Sequence, residues 1–207
     1  MLIHHPRTQR GFSLIEVMVT VFVAALGLLS VAALQLVSKR NSYEAEQRTT
    51  ASALIQDIIE RMRANPGERA TYVSADATER SEPSPNCLNE VCTAAQIAAF
   101  DLWQWGQALN GAGESDGTAN TGGLNDPTAC IVQGSNECHY TIAVAWRGVS
   151  PQLEPLTTNA TGEGELNSCG VGNAAYDDPE TADSDFRLRR TLVISTFIND
   201  PDAPPCN

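Results

Sequence analysis

The side chains able to do chemistry fall into a few groups, and their spacing restricts what each can do. Glu16 stands at the start of a run, Val17 to Ser38, that carries no charge and is dominated by Val, Leu and Ala. A carboxylate carried to mid-bilayer costs about 2.5–3.5 kcal/mol, so it calls for a partner. Six cysteines, Cys87, Cys92, Cys130, Cys138, Cys169 and Cys206, all follow that run. An even count in loop-rich sequence reads as disulfides formed in an oxidising compartment. His4 and His5 have no Cys, Asp or Glu beside them, and Cys-x4-Cys at 87–92 lacks the further ligands of a zinc site. Asp177, Asp178, Glu180, Asp183 and Asp185 concentrate oxygen ligands that could hold Ca²⁺, but without EF-hand spacing, and a solvated acidic loop is the plainer reading. The glycine-rich stretch 110–123 contains no Lys and leads to no GK[ST] triplet. GxSxG and HExxH are absent, and His139 has no nucleophile near it in sequence, so the residues point to no enzyme and no cofactor.

The elements that must position these groups begin with a helix. Residues 17–38 are long enough to cross a hydrocarbon core of roughly 30 Å. Beyond them Ala51, Leu54, Ile55, Ile58, Ile59 and Met62 recur at three- and four-residue spacing, which predicts an amphipathic continuation. Asn65-Pro66-Gly67 stops it, because proline disfavours the α conformation in the residue before it. A helix from about Ser13 to Ala64 is roughly 75–80 Å long. Gly27 and Ser30 permit close helix packing or are simply tolerated there; both readings stand.

Residues 67–92 read as a loop closed by a local Cys87–Cys92 bridge. Thr93-Ala-Ala-Gln96 is a capping box that opens a helix carrying Phe100, Leu102, Trp103, Trp105 and Leu109, where helical spacing makes the tryptophans core residues before it makes them ligand platforms. Ala129–Gln133 and Cys138–Trp146 flank Gly134-Ser-Asn-Glu137 as a hairpin, with Tyr140, Ile142, Val144 and Trp146 on one face and His139 exposed on the other. The hairpin places Cys130 and Cys138 on neighbouring strands, so Cys130–Cys138 is the expected bridge. Phe186 to Ile198 has strand composition and should pair antiparallel with the hairpin, leaving Arg187, Arg189 and Arg190 over the acidic loop. Cys169–Cys206 then ties down the tail.

The order Gly11, Phe12, Ser13, Leu14, Ile15, Glu16 and an uncharged helix, behind a short leader with Arg7 and Arg10, resembles the class III signal of type IV pilins and of the related type II secretion pseudopilins. The GFSLIEVMV start, the extension through IERMRANP, the Cys pair before a tryptophan-bearing helix, and the CHYTIAVAW and RRTLVIS strands are similar to minor pilins of the type IV pilus. That resemblance implies cleavage after Gly11 by a prepilin peptidase, N-methylation of Phe12, and a role for Glu16 in assembly. It also implies a non-catalytic subunit that primes pilus assembly with other minor pilins and the major pilin and affects adhesion or twitching motility. The alternative is a minor pseudopilin of a type II secretion system.

The expected architecture is α+β and pilin-like, a long N-terminal helix packed on a small antiparallel sheet with disulfide-stapled loops. Its expected divisions are a leader at 1–11, a transmembrane and assembly helix at 12–38, an amphipathic continuation at 39–65 and a periplasmic head at 66–207. The cysteines place the head on the oxidising side of a bacterial inner membrane, from which the subunit passes into the extracellular pilus. The chain carries 13 basic and 25 acidic residues; without Arg7 and Arg10 the balance is 11 against 25, a formal −14. Nucleic acid, which needs a basic patch, is not an expected partner.

Overall fold

Helix-compatible sequence, uncharged from Val17 to Ser38 and amphipathic beyond it, meets no proline until Pro66, and the chain forms one helix, α1 (Leu14–Ala64). The computed structural model describes residues 11–114, 116–117, 120, 122–152, 168–180 and 186–202. It divides into two units, Met1–Tyr43 and Glu44–Asn207, considered in turn.

In the second unit the last turns of α1 bury the predicted stripe: Ala51, Ile55, Ile58, Ile59 and Met62 are buried, with Leu54 partly so. At about 1.5–3 kcal/mol for each fully buried Ile or Met side chain, this face dominates the attachment of the helix to the core. Pro66 ends α1 and begins a 3-10 segment, Pro66–Tyr72, where the composition of residues 67–92 predicts a loop. This segment tucks Tyr72 into the core, where its hydroxyl donates to Asp101 Oδ2 at 2.6 Å. Arg61 donates to Asp57 and Asp101, each at 2.9 Å, so one guanidinium ties α1 to the next helix.

That helix is α2 (Ala94–Leu109), and its capping box forms as the sequence predicts. Thr93 Oγ1 accepts from Gln96 N, and Gln96 Oε1 accepts from Thr93 N at 2.8 Å. Trp105 is wholly buried and donates from Nε1 to the Leu54 carbonyl at 2.8 Å, while Trp103 is half-buried against Phe100. Gly106 sits where a Cβ would come within 2.2 Å of the Ala77 carbonyl, so only glycine lets α2 approach residues 77–78 so closely.

Three strands, β1 (Thr128–Gln133), β2 (His139–Arg147) and β3 (Arg189–Phe197), form an antiparallel sheet in the order β1-β2-β3. Ala129 and Ile131, then Tyr140, Ile142, Val144 and Trp146, then Leu192 and Ile194, join the same apolar cluster as the α1 stripe. β2 is buried along nearly its whole length because its other face is also covered. There Ala143 lies against Cys130 and Cys169, and Thr128 and Ala145 lie against the 168–176 segment. Gly170, at φ +77°, makes that approach possible, since a Cβ would strike Tyr176, Ala145 and Thr128. The outer edge of β1 is closed: Ser74 and Ile131 exchange both backbone hydrogen bonds, and Ala77 N donates to the Ala129 carbonyl.

Two expected bridges are corrected. Cys130 is bonded to Cys169, with Cα atoms 5.9 Å apart, so neither Cys130–Cys138 nor Cys169–Cys206 forms. Register explains this: the strand residue opposite Cys130 is Ala143, five residues along β2 from Cys138. At about 3.4 Å per residue that separation is far beyond the roughly 4.4–6.8 Å a disulfide spans between Cα atoms. Cys87 and Cys92 are bonded across 5.6 Å. Cys206 lies outside the described residues.

Candidate processing and assembly segment

Residues 11–43 belong to the first unit. Gly11, Phe12 and Ser13 precede the helix and are exposed, with Phe12 83% exposed. The Ser13 carbonyl accepts from Glu16 N at 3.1 Å and Val17 N at 3.3 Å, so the helix starts at the serine and Glu16 falls in its first turn. A first-turn carboxylate lies at the positive end of the helix dipole. A peptide bond at Gly11–Phe12 is therefore presented just outside regular structure, where a peptidase can bind it in extended form.

From Leu14 to Val37 no side chain is buried in the monomer; Leu14, Leu28 and Leu34 are each at least 70% exposed. The helix has a stretch of mean hydropathy 2.6, enough by length and composition to cross a membrane. Two of its hydroxyls are satisfied within the helix: Thr20 Oγ1 donates to the Val17 carbonyl at 2.9 Å, and Ser30 Oγ to the Leu26 carbonyl at 3.0 Å. That is what a helix in hydrocarbon needs, since no water is present to pair a stray hydroxyl. Around Gly27 nothing lies within 4 Å of where a Cβ would be. By length and hydropathy the segment can enter lipid, and its exposed apolar side chains leave it a surface for lateral packing.

The remaining candidates are placed elsewhere. His139 is half-buried on the sheet face away from α1, its ring 5.1 Å from that of Phe197. Asp178 is buried, accepts from Glu180 N and pairs with Arg187 at 3.4 Å, while Asp177 accepts from Phe186 N. Asp183 and Asp185 lie outside the described residues, and among the described residues no group of three or more His, Cys, Asp or Glu could hold a metal ion. Of the other two arginines, Arg190 reaches Glu44 of α1 at 3.2 Å instead of the acidic loop. Arg189 is buried and donates to the Cys169 carbonyl at 3.1 Å, and burial lowers its pKa.

Sequence reasoning did not single out two buried phenols. Tyr176 donates to the Asp126 carbonyl at 2.8 Å and meets Thr128 Oγ1 at 2.9 Å; burial pushes its pKa up to about 12. Tyr72 is raised further, first by burial and then by its bond to Asp101. Nothing in their local spacing distinguishes them from loop tyrosines, because their burial comes from contacts distant in sequence.

A long apolar N-terminal helix whose distal turns pack on a small antiparallel sheet, with two disulfides between described residues of the connecting segments and β1, is the pilin-like α+β architecture. Comparison of the chain with protein families agrees: residues 6–32 match the prokaryotic N-terminal methylation motif, and residues 33–103 match the model described as type IV pilin Tt1218. Together these matches make the chain similar to type IV pilins over residues 6–103. Neither the curated proteins nor the solved structures include a match.

Proposed function

We propose that the chain is a minor pilin of the type IV pilus, of the kind of the pilus modification protein PilV. In this reading it is cut after Gly11 by a prepilin peptidase, methylated at Phe12 and held in the inner membrane by residues 12–38, with its head in the periplasm. It then joins other minor pilins and the major pilin through α1, with Glu16 as the assembly residue, and contributes to pilus priming, adhesion or twitching motility. The observation that carries the reading is the match to the methylation motif over residues 6–32, which covers Gly11, Phe12 and Glu16 at the start of a helix in which no side chain from Leu14 to Val37 is buried.

The test is the mature amino terminus. Mass spectrometry of the membrane-extracted protein is expected to find N-methylated Phe12 as the first residue, and Gly11→Val is expected to leave full-length precursor. Met1 retained on pilus-associated protein would overturn the proposal. The same start is shared by pseudopilins of type II secretion, so recovery in pili, as against a secretion pseudopilus, decides between the two.

A further inference from the structure

Among the described residues one edge of the sheet, that of β1, is closed, and no strand is paired to the other, that of β3. Ile198 N donates to the Cys138 carbonyl, and the β2–β3 register pairs Thr196 with Tyr140, Ile194 with Ile142 and Leu192 with Val144. Hydrogen-bonding direction alternates along an antiparallel strand, so Thr191, Val193, Ser195 and Phe197 turn their N–H and C=O groups away from the sheet. Among the described residues these four make no backbone hydrogen bond on that side. Natural edges are guarded by Lys, Pro, inward charges or bulges. The run Thr191–Phe197, TLVISTF, has none of these, and pairs with β2 without a bulge. Val193 is 40% exposed and Phe197 65%.

From this edge we infer that β3 receives an extended strand from a second, different pilin-type subunit anchored in the same membrane. The inference rests on the reading of the chain as a pilus subunit. Backbone groups of the incoming strand would pair with residues 191, 193, 195 and 197, and its apolar side chains would cover Val193 and Phe197. Two considerations choose this occupant. A seven-residue strand contact falls well short of the roughly 1,600 Å² of a standard interface, so it holds only a partner that another contact has already brought alongside. Lateral packing of apolar helices in one membrane supplies that second contact and raises the effective concentration at the edge. A second copy of this chain is disfavoured by charge, since each processed copy carries a formal −14.

The experiment is mild-detergent co-purification of the tagged full-length protein from membranes of its own cells, with amide hydrogen exchange on the recovered complex. Wild type is expected to bring down a second pilin-type subunit, with the amides of Val193 and Ser195 exchanging at least tenfold more slowly than in protein purified without partners. Val193→Pro removes an N–H that the sheet does not use. It is expected to be processed and inserted as wild type, yet to recover less than a tenth of the partner. Equal recovery by a folded Val193→Pro protein would overturn the edge proposal and leave the pilin reading intact. If that variant fails to fold, the wild-type amides decide: unchanged exchange at Val193 and Ser195 in the complex overturns the proposal. Recovery only of further copies of the same chain overturns the choice of partner, and recovery of no pilin-type subunit overturns both readings.

Discussion

Glu16 faces a choice between two partners. Within one chain it complements the positive end of its own helix, which is worth about 0.3–1 kcal/mol. On the proposed function, cleavage after Gly11 would create an amine at Phe12, still cationic after methylation, that in an assembled bundle would offer a charge-assisted bond in a weakly screened setting. An unpaired carboxylate among apolar helices is costly, so the second arrangement makes Glu16 a condition of assembly. Glu16→Val is then expected to be cleaved and inserted normally but to be at least tenfold depleted from purified pili, with Glu16→Asp intermediate, as read by immunoblot of sheared pili against membranes. Assembly of Glu16→Val at wild-type level would reduce the carboxylate to a local helix feature. A second residue-scale effect concerns alkaline pH. Tyr176 ionises near 12 in the folded protein, whereas an exposed tyrosine ionises near 10. The unfolded chain therefore loses the proton first as pH rises. The stabilisation is complete below pH 10 and is lost between about 10 and 12, up to ~2–3 kcal/mol from this group. Urea midpoints measured across that range should fall, and fall less steeply in Tyr176→Phe, with Tyr72 and Tyr140, both raised by burial, contributing to the remaining slope.

At the level of elements, local signals were legible and distant ones were not. The capping box at Thr93 and Gln96 depends on four consecutive residues, and it forms as read. Thr93→Ala should cost about 1 kcal/mol, measured as a lower urea midpoint with an unchanged m-value. The apolar stripe of α1, the two hairpin strands and the pairing of the third were equally visible, because 3.6-residue and two-residue periods are carried by neighbours in sequence. What escaped was set by register and long-range packing. The hairpin loop is longer than the four residues assigned to it, since Gln133 pairs with Tyr140. The 3-10 turn at Pro66–Tyr72 exists because Tyr72 is drawn into a core built from α1 and α2. Arg190 ignores the nearby acidic residues for Glu44, whose carboxylate also accepts from Val149 N at 2.9 Å.

For the molecule as a whole, the disulfides show best what sequence proximity misses. Cys130 was assigned to its nearest downstream cysteine, yet its side chain lies on the sheet face away from α1, where the chain returns with Cys169 only after β2 is complete. Non-reducing peptide mapping is expected to recover Cys87–Cys92 and Cys130–Cys169. Recovery of Cys130–Cys138 would contradict the strand register itself. The Cys130–Cys169 bridge has one more effect, on how the protein withstands proteolysis. It closes a ring of chain that contains all of β2, so a protease that nicks the backbone anywhere inside that ring releases no fragment. The two pieces stay joined by covalent sulfur and by the strand ladder on either side of β2, and damage to such a subunit becomes visible on a gel only after a reductant is added.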